Sequence, residues 1–231
     1  HIVMPAKNRV KTYVEGGYYH IYNRGVDKRE IFLDEQDYGV FLSYLKEYLL
    51  PKNEAQLQER LSDSNTSYKE KDKILKQLRL NNFAGEITLL AFCLMPNHFH
   101  FFIKQKGANS IDRFMQSLAT RYTMYFNRKY KRVGFLYQDN YKAVLITSES
   151  QFIYLSKYIH KQALASQGPT LQGQPSSFDE YLGQRKTEWV NPEEVLSYFS
   201  KLNPSLSYQS FVLENPTDDE AIALDNIVLE D

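Results

Sequence analysis

The stretch CLMPNHFHFFIK, Cys93–Lys104, decides how this chain folds, because it sets two of the five histidines one residue apart in an apolar run. In a β-strand, residues i and i+2 point to the same face. His98 and His100 therefore stand side by side, while Phe99 and Phe101 pack on the other face. Two imidazoles on one strand face make half of a metal site, and the other half must come from elsewhere in the chain. The preceding GEITLLAFCLM (85–95) reads as a second strand, joined to the first by the turn-like dipeptide Pro96-Asn97.

On the N-terminal side, EGGYYHIYNRGV (15–26) alternates apolar and polar residues after a Gly-Gly turn and reads as a strand. LDEQDYGVFLSYLKEYLL (33–50) has helical apolar spacing, with Asp34 as N-cap and Pro51 as stop. Residues 53–82 are charged and weakly amphipathic, which predicts two short helices around a Ser/Asn-rich turn, an insertion projecting from the domain. On the C-terminal side, 110–130 reads as a helix capped by Ser110. FLYQDNYKAVLI (135–146) reads as a hairpin or a single strand, and 148–165 as a helix again opening on serine. The order β-α-β-β-α-β-α predicts an α+β fold, a ferredoxin-like antiparallel sheet with helices on one face.

This domain spans 4–165. Residues 1–3 precede Met4 and are set aside as an expression remnant. From about residue 166 the composition shifts to a Gly/Pro/Gln/Ser linker. Two short helical stretches follow (192–201 and 206–214), then an acidic end, so that 166–231 reads as an appendage.

The chain of 231 residues has no signal peptide and no apolar run of membrane-spanning length, which predicts a soluble, intracellular protein without a membrane partner. The lone Cys93 excludes an internal disulfide framework and a Cys-based zinc finger. A net charge of zero conceals +1 over 1–100, +8 over 101–165 and −9 over 166–231. The basic stretch is rich in tyrosine and phenylalanine, a mixture suited to phosphate contact and base stacking; two ordinary solvated surfaces of opposite sign are the alternative. The acidic end accordingly either competes with a polyanion for the basic surface or follows a stably packed cap at 188–212.

The helix at 148–165 contains Tyr158 and Gln162, four residues and hence about 40° apart around its axis. His160 points away from both. Packed beside the HxH strand, this helix offers a phenol and an amide oxygen together. Two neutral imidazoles and one amide oxygen hold a divalent cation with positions left open, and such mixed ligation suits Mg²⁺ or Mn²⁺ as well as Zn²⁺. Tyr158 would then be a nucleophile whose attack the cation eases. Tyr154 is its rival, but the residue four beyond it is Tyr158, which supplies no useful ligand. An HxH pair also occurs in zinc hydrolases and cupins.

YYHIYNRG, LMPNHFHFFI, FMQSLATRYTMYFNRKYKRVGFLYQDNYKAVLI and YIHKQ, in that order, resemble the motifs of the single-tyrosine HUH transposases, most closely the REP-associated tyrosine transposases. The resemblance runs over about 13–165, and 188–212 is similar to the short C-terminal extension of that branch. It implies His98 and His100 as metal ligands, Gln162 as the third, and Tyr158 as nucleophile. Many REP-associated members have asparagine where this chain has Gln162, the residue typical of the insertion-sequence relatives. It further implies Mg²⁺ or Mn²⁺ as cofactor and single-stranded or hairpin DNA as partner, cut and rejoined through a 5′-phosphotyrosine. A homodimer and a bacterial or archaeal, nucleoid-associated cytoplasmic setting also follow from it. Arg24, Arg121, Arg128, Lys129, Lys131, Arg132 and Lys142 are the candidate DNA contacts, with His20 and Asn97 as candidate supports of the ligands. A DNA-hairpin-binding protein that does not cut, and an HxH hydrolase that activates water, are the competing readings.

Overall fold

The computed structural model describes residues 13–165, 173–225 and 227. The expected remnant at 1–3, the start of the expected linker from 166 and most of the last residues lie outside these. Four strands, β1 (Tyr18–Arg24), β2 (Ile87–Met95), β3 (His98–Gln105) and β4 (Lys142–Leu145), form one sheet in the order β2-β3-β1-β4. Every pairing is antiparallel. Helices α1 (Glu35–Leu49), α4 (Ser110–Lys129) and α5 (Glu149–Ala165) pack on it, and α2 (Glu54–Ser62) and α3 (Tyr68–Arg79) form the insertion between α1 and β2.

The two-residue turn at Pro96-Asn97 pairs β2 with β3 so that Cys93 lies opposite His100 and Met95 opposite His98. The chain after β1 is tied to that turn. Gly25 donates its N–H to the Asn97 carbonyl at 2.8 Å. A Cβ on Gly25 would stand 2.2 Å from the Arg29 carbonyl oxygen, so only glycine permits this close approach.

The sheet separates two cores. Phe99, Phe101 and Ile103 of β3 and Ile21 of β1 pack with Phe41 and Leu45 of α1 and with Phe114, Leu118 and Tyr122 of α4. On the other face Phe102, Ala91 and Cys93 pack with Leu155, Ile159 and Ala163 of α5. The expectation of helices on one face is therefore corrected. It holds for α1 and α4, while α5, which follows the last strand, crosses to the opposite side.

The segment after the linker is no loose appendage. It forms α6 (Phe178–Tyr181), α7 (Glu193–Leu196), α8 (Tyr208–Leu213) and α9 (Asp218–Leu224). Tyr181, Val195, Tyr208, Val212, Leu224 and Ile227 are buried in the α5-side core. The segment also covers the edge strand β2: Leu94 N–H donates to the Pro175 carbonyl at 2.8 Å, and Asn191 N–H to that of Leu89 at 2.9 Å. An uncovered edge would invite pairing with another chain.

Asp34 does cap α1, accepting from the Asp37 N–H. Ser110, in contrast, is the first residue of α4 rather than its cap; Asn109 holds that place and makes no side-chain cap bond. The Ser110 hydroxyl instead donates to Glu86 at 3.0 Å. Only Lys142–Leu145 of the 135–146 stretch is a strand.

Candidate metal and nucleophile site

Register fixes which side chains meet on the α5 side of the sheet. Arg24 pairs across from His98, Tyr22 from His100 and His20 from Phe102. Lys142 of β4 lies opposite Tyr22. Alternation then sends Arg24, Tyr22, His20, His98, His100 and Lys142 to one face.

Tyr158 projects from α5 onto this face. Its ring centroid is 5.4 Å from that of His100 and 6.0 Å from that of His20, each edge to face. The His98 and His100 rings are 5.0 Å apart. Tyr154, one turn earlier, packs on Phe211 of α8 at 5.6 Å. His160 is buried on another side of the helix, bonded to the Tyr208 hydroxyl at 2.6 Å and the Ser177 hydroxyl at 2.8 Å. Gln162 sits half-buried on α5, one turn beyond Tyr158.

Both candidate ligands are held through Nδ1. The Asn97 side chain donates its amide to the Lys28 carbonyl at 3.2 Å, which turns its oxygen toward His98. That oxygen lies 2.6 Å from His98 Nδ1, so Nδ1–H donates and Nε2 carries the lone pair. His100 Nδ1 lies 2.9 Å from His20 Nε2. His20 Nδ1 in turn bonds the carbonyl of Ile227. Burial pushes the His20 pKa down to about 4. Burial, with the charges of His20, His98 and Arg24 adding to it, holds His100 well below the usual imidazole range. These rings are neutral at pH 7.

His100 Nε2 is buried with no hydrogen-bond partner among the described residues. A stranded acceptor of this kind is costly unless something binds it, and a divalent cation fits the donor set of two neutral imidazoles with Gln162 on the adjoining helix. Among the described residues no three His, Cys, Asp or Glu side chains gather into a metal cluster.

The basic candidates divide between the faces. Arg24 and Lys142 share the histidine face. Arg121 bonds Glu47 at 2.8 Å and lies 3.7 Å over the Tyr44 ring, and Lys129 bonds Asp34 and the buried Asp37 at 2.7 and 2.8 Å. Both are committed on the α1 side. Arg128 and Lys131 are exposed, and Arg132 bonds Asn127 at 3.1 Å. Sequence reasoning missed Tyr22, whose ring is 4.8 Å from that of His20; the two-residue spacing from His20 was the available signal. It also missed Ile227, which acts through its backbone and so leaves no mark in the sequence.

An HxH strand facing a tyrosine-bearing helix is the arrangement expected from the sequence resemblance. The family model described as "Transposase IS200 like" matches residues 65–162, a stretch that includes both β3 histidines, Tyr158 and Gln162. Among solved structures, a REP-associated tyrosine transposase bound to a REP hairpin is similar, with a TM-score of 0.47 at 10% identity over 80% of this chain and 96% of that one. A candidate transposase from Deinococcus radiodurans gives 0.35 at 16% identity, over 67% and 97%. No curated protein sequence matches the chain. No helix among the described residues is long and apolar enough to cross a membrane.

Proposed function

We propose that this protein is a metal-dependent single-stranded DNA endonuclease and strand transferase acting on hairpin-containing DNA. The observation that carries this reading is the placing of Tyr158, and not Tyr154, edge-on to His100 at 5.4 Å on the histidine face.

In the proposed reaction the Tyr158 oxygen attacks a DNA phosphorus. The Tyr–O–P bond forms and the P–O3′ bond breaks, leaving a 5′-phosphotyrosine and a 3′-oxygen that takes up a proton. The link preserves the ester bond, so a second 3′-hydroxyl can reverse the attack and join a new strand without ATP. The chemistry supplied by Mg²⁺ or Mn²⁺ held at His98, His100 and Gln162 is polarisation of the scissile phosphate and neutralisation of its developing charge. Asn97 and His20 orient the two imidazoles. Arg24 and Lys142 provide positive charge on the same face for flanking phosphates.

Incubation with labelled hairpin DNA and Mn²⁺ tests this. A denaturation-resistant protein–DNA band is expected, lost in Tyr158→Phe while the fold and DNA affinity persist. A band that survives this substitution assigns the chemistry to another tyrosine. Cleavage without any band favours activated water, and full cleavage in EDTA removes the metal from the reading.

A further inference from the structure

The C-terminal segment reaches the site through a backbone group of Ile227. The Ile227 carbonyl bonds His20 Nδ1. A carbonyl oxygen can only accept, so the proton of His20 is on Nδ1 and its Nε2 holds a lone pair. The His100 Nδ1, 2.9 Å away, must then be the donor. His100 therefore has its own proton on Nδ1, and the buried Nε2 is left as a bare lone pair. The two-imidazole chain has one other neutral arrangement, with both protons on Nε2. In that state His20 would donate to His100, and the His100 Nε2 would carry hydrogen where a cation has to bind.

We propose that His20 is a positioning residue whose tautomer is set by the Ile227 carbonyl, so that docking of the C-terminal segment and cation binding at His98 and His100 are one coupled equilibrium. This rests on the metal reading above and deepens it. The segment is anchored independently of the relay. Lys157, the residue before Tyr158, makes a buried 2.7 Å ion pair with Glu220 of α9, and the Ile227 side chain is buried in the α5-side core. Coupling of this kind is reciprocal, so the cation must stabilise the docked segment as much as the segment favours the cation.

Long-range ¹H–¹⁵N imidazole spectra of the metal-free chain read the relay directly. Nδ1–H is expected for both His20 and His100 in the full chain. A mixture is expected in a chain ending at Asp225, which keeps α9 and its ion pair but lacks Ile227. Mn²⁺ titration by calorimetry should then show affinity weakened about 10-fold in the shortened chain. In His20→Phe the loss should be about 10–100-fold, the usual range for losing a ligand's support. His20→Gln should recover most of it, since its amide can donate to Ile227 and accept from His100. Exchange protection of α9 should rise with Mn²⁺ in the full chain.

Nε2–H on His100 in the metal-free full chain would overturn the proposal, as would a shortened chain with unchanged tautomers and unchanged Mn²⁺ affinity. A thermal melt of each variant separates misfolding from loss of the relay. If the full chain binds no Mn²⁺, the metal reading of the site fails, and the spectra still decide whether Ile227 sets the tautomers.

Discussion

The two faces of β3 solve different problems with one stretch of chain. On the α1/α4 side, Phe99 and Phe101 stack at 4.6 Å and Phe41 meets Tyr122 edge to face at 4.9 Å. The most buried charge there, Asp37, is held by neighbours on the same side, Tyr125, Tyr130 and Lys129. On the α5 side, the same strand presents His98 and His100, and the core includes the buried polar groups His20, Lys157, His160 and Glu220. Burying polar groups is costly without partners, and on this side the C-terminal segment supplies them: Glu220 for Lys157, Tyr208 for His160, and the Ile227 carbonyl for His20. One face stores stability, and the other holds reactive groups in a frame made by residues far along the chain.

The largest test sets the faces against each other on one strand. Phe101→Ala removes a fully buried ring and should cost about 3–5 kcal/mol of stability, with cleavage by the folded fraction retained. His98→Ala, half-exposed at the strand's start, should cost little stability and abolish cleavage because too few ligands remain. Denaturant melts and single-turnover cleavage on both variants check this. Equal stability losses would mean that the faces are not divided as described.

Much of the first face was legible in the sequence. Period-2 alternation in β3, the Asp34 cap and the helical spacing of α1 and α4 are local signals, and each was realised. The His98–His100 pairing and the orientation of Tyr158 also follow from local periodicity. What was not legible depends on distant contacts. The acidic end read as solvated, yet Glu220 is buried because Lys157, 63 positions earlier, needs a counter-charge in the core. The ion pair of Arg121 was hidden because its partner Glu47 lies 74 residues away. The side of the sheet taken by α5 depends on how the chain leaves β4, which no spacing encodes.

Acid should act on one face before the other. The three buried histidines among the described residues, His20, His100 and His160, all belong to the α5 side. Burial lowers His160 to about 3 and His20 to about 4, both below the ordinary value of 6.5. The unfolded chain therefore binds more protons than the folded one as pH drops below about 6.5. Their stabilising share is complete above that pH and is lost progressively toward the folded pKa values, at about 1.4 kcal/mol per pH unit for each such group. Hydrogen exchange at pH 7.5 and 5, corrected for intrinsic rates, should show α5 and α9 losing protection while α1 and α4 hold. Uniform loss over both faces would contradict the expectation.

The smallest effect concerns the cations, and it sharpens the same division. Lys142 is exposed on β4 opposite Tyr22, on the histidine face. Arg121 is on the other side, bonded to Glu47 and stacked on Tyr44. Each phosphate contact to single-stranded DNA adds about 0.7 to the slope of log affinity against log salt. Lys142→Ala should therefore lower that slope by about 0.7 and weaken binding several-fold at low salt. Arg121→Ala removes a charge of the same sign from the same chain, so a purely long-range field would respond alike to both. Direct contact would not: Arg121→Ala should leave the slope unchanged and cost only a little stability from a lost ion pair and ring contact. Binding isotherms on one hairpin across a salt series decide between the two. Equal slope losses would place DNA on both faces and end the division of labour that the sheet suggests.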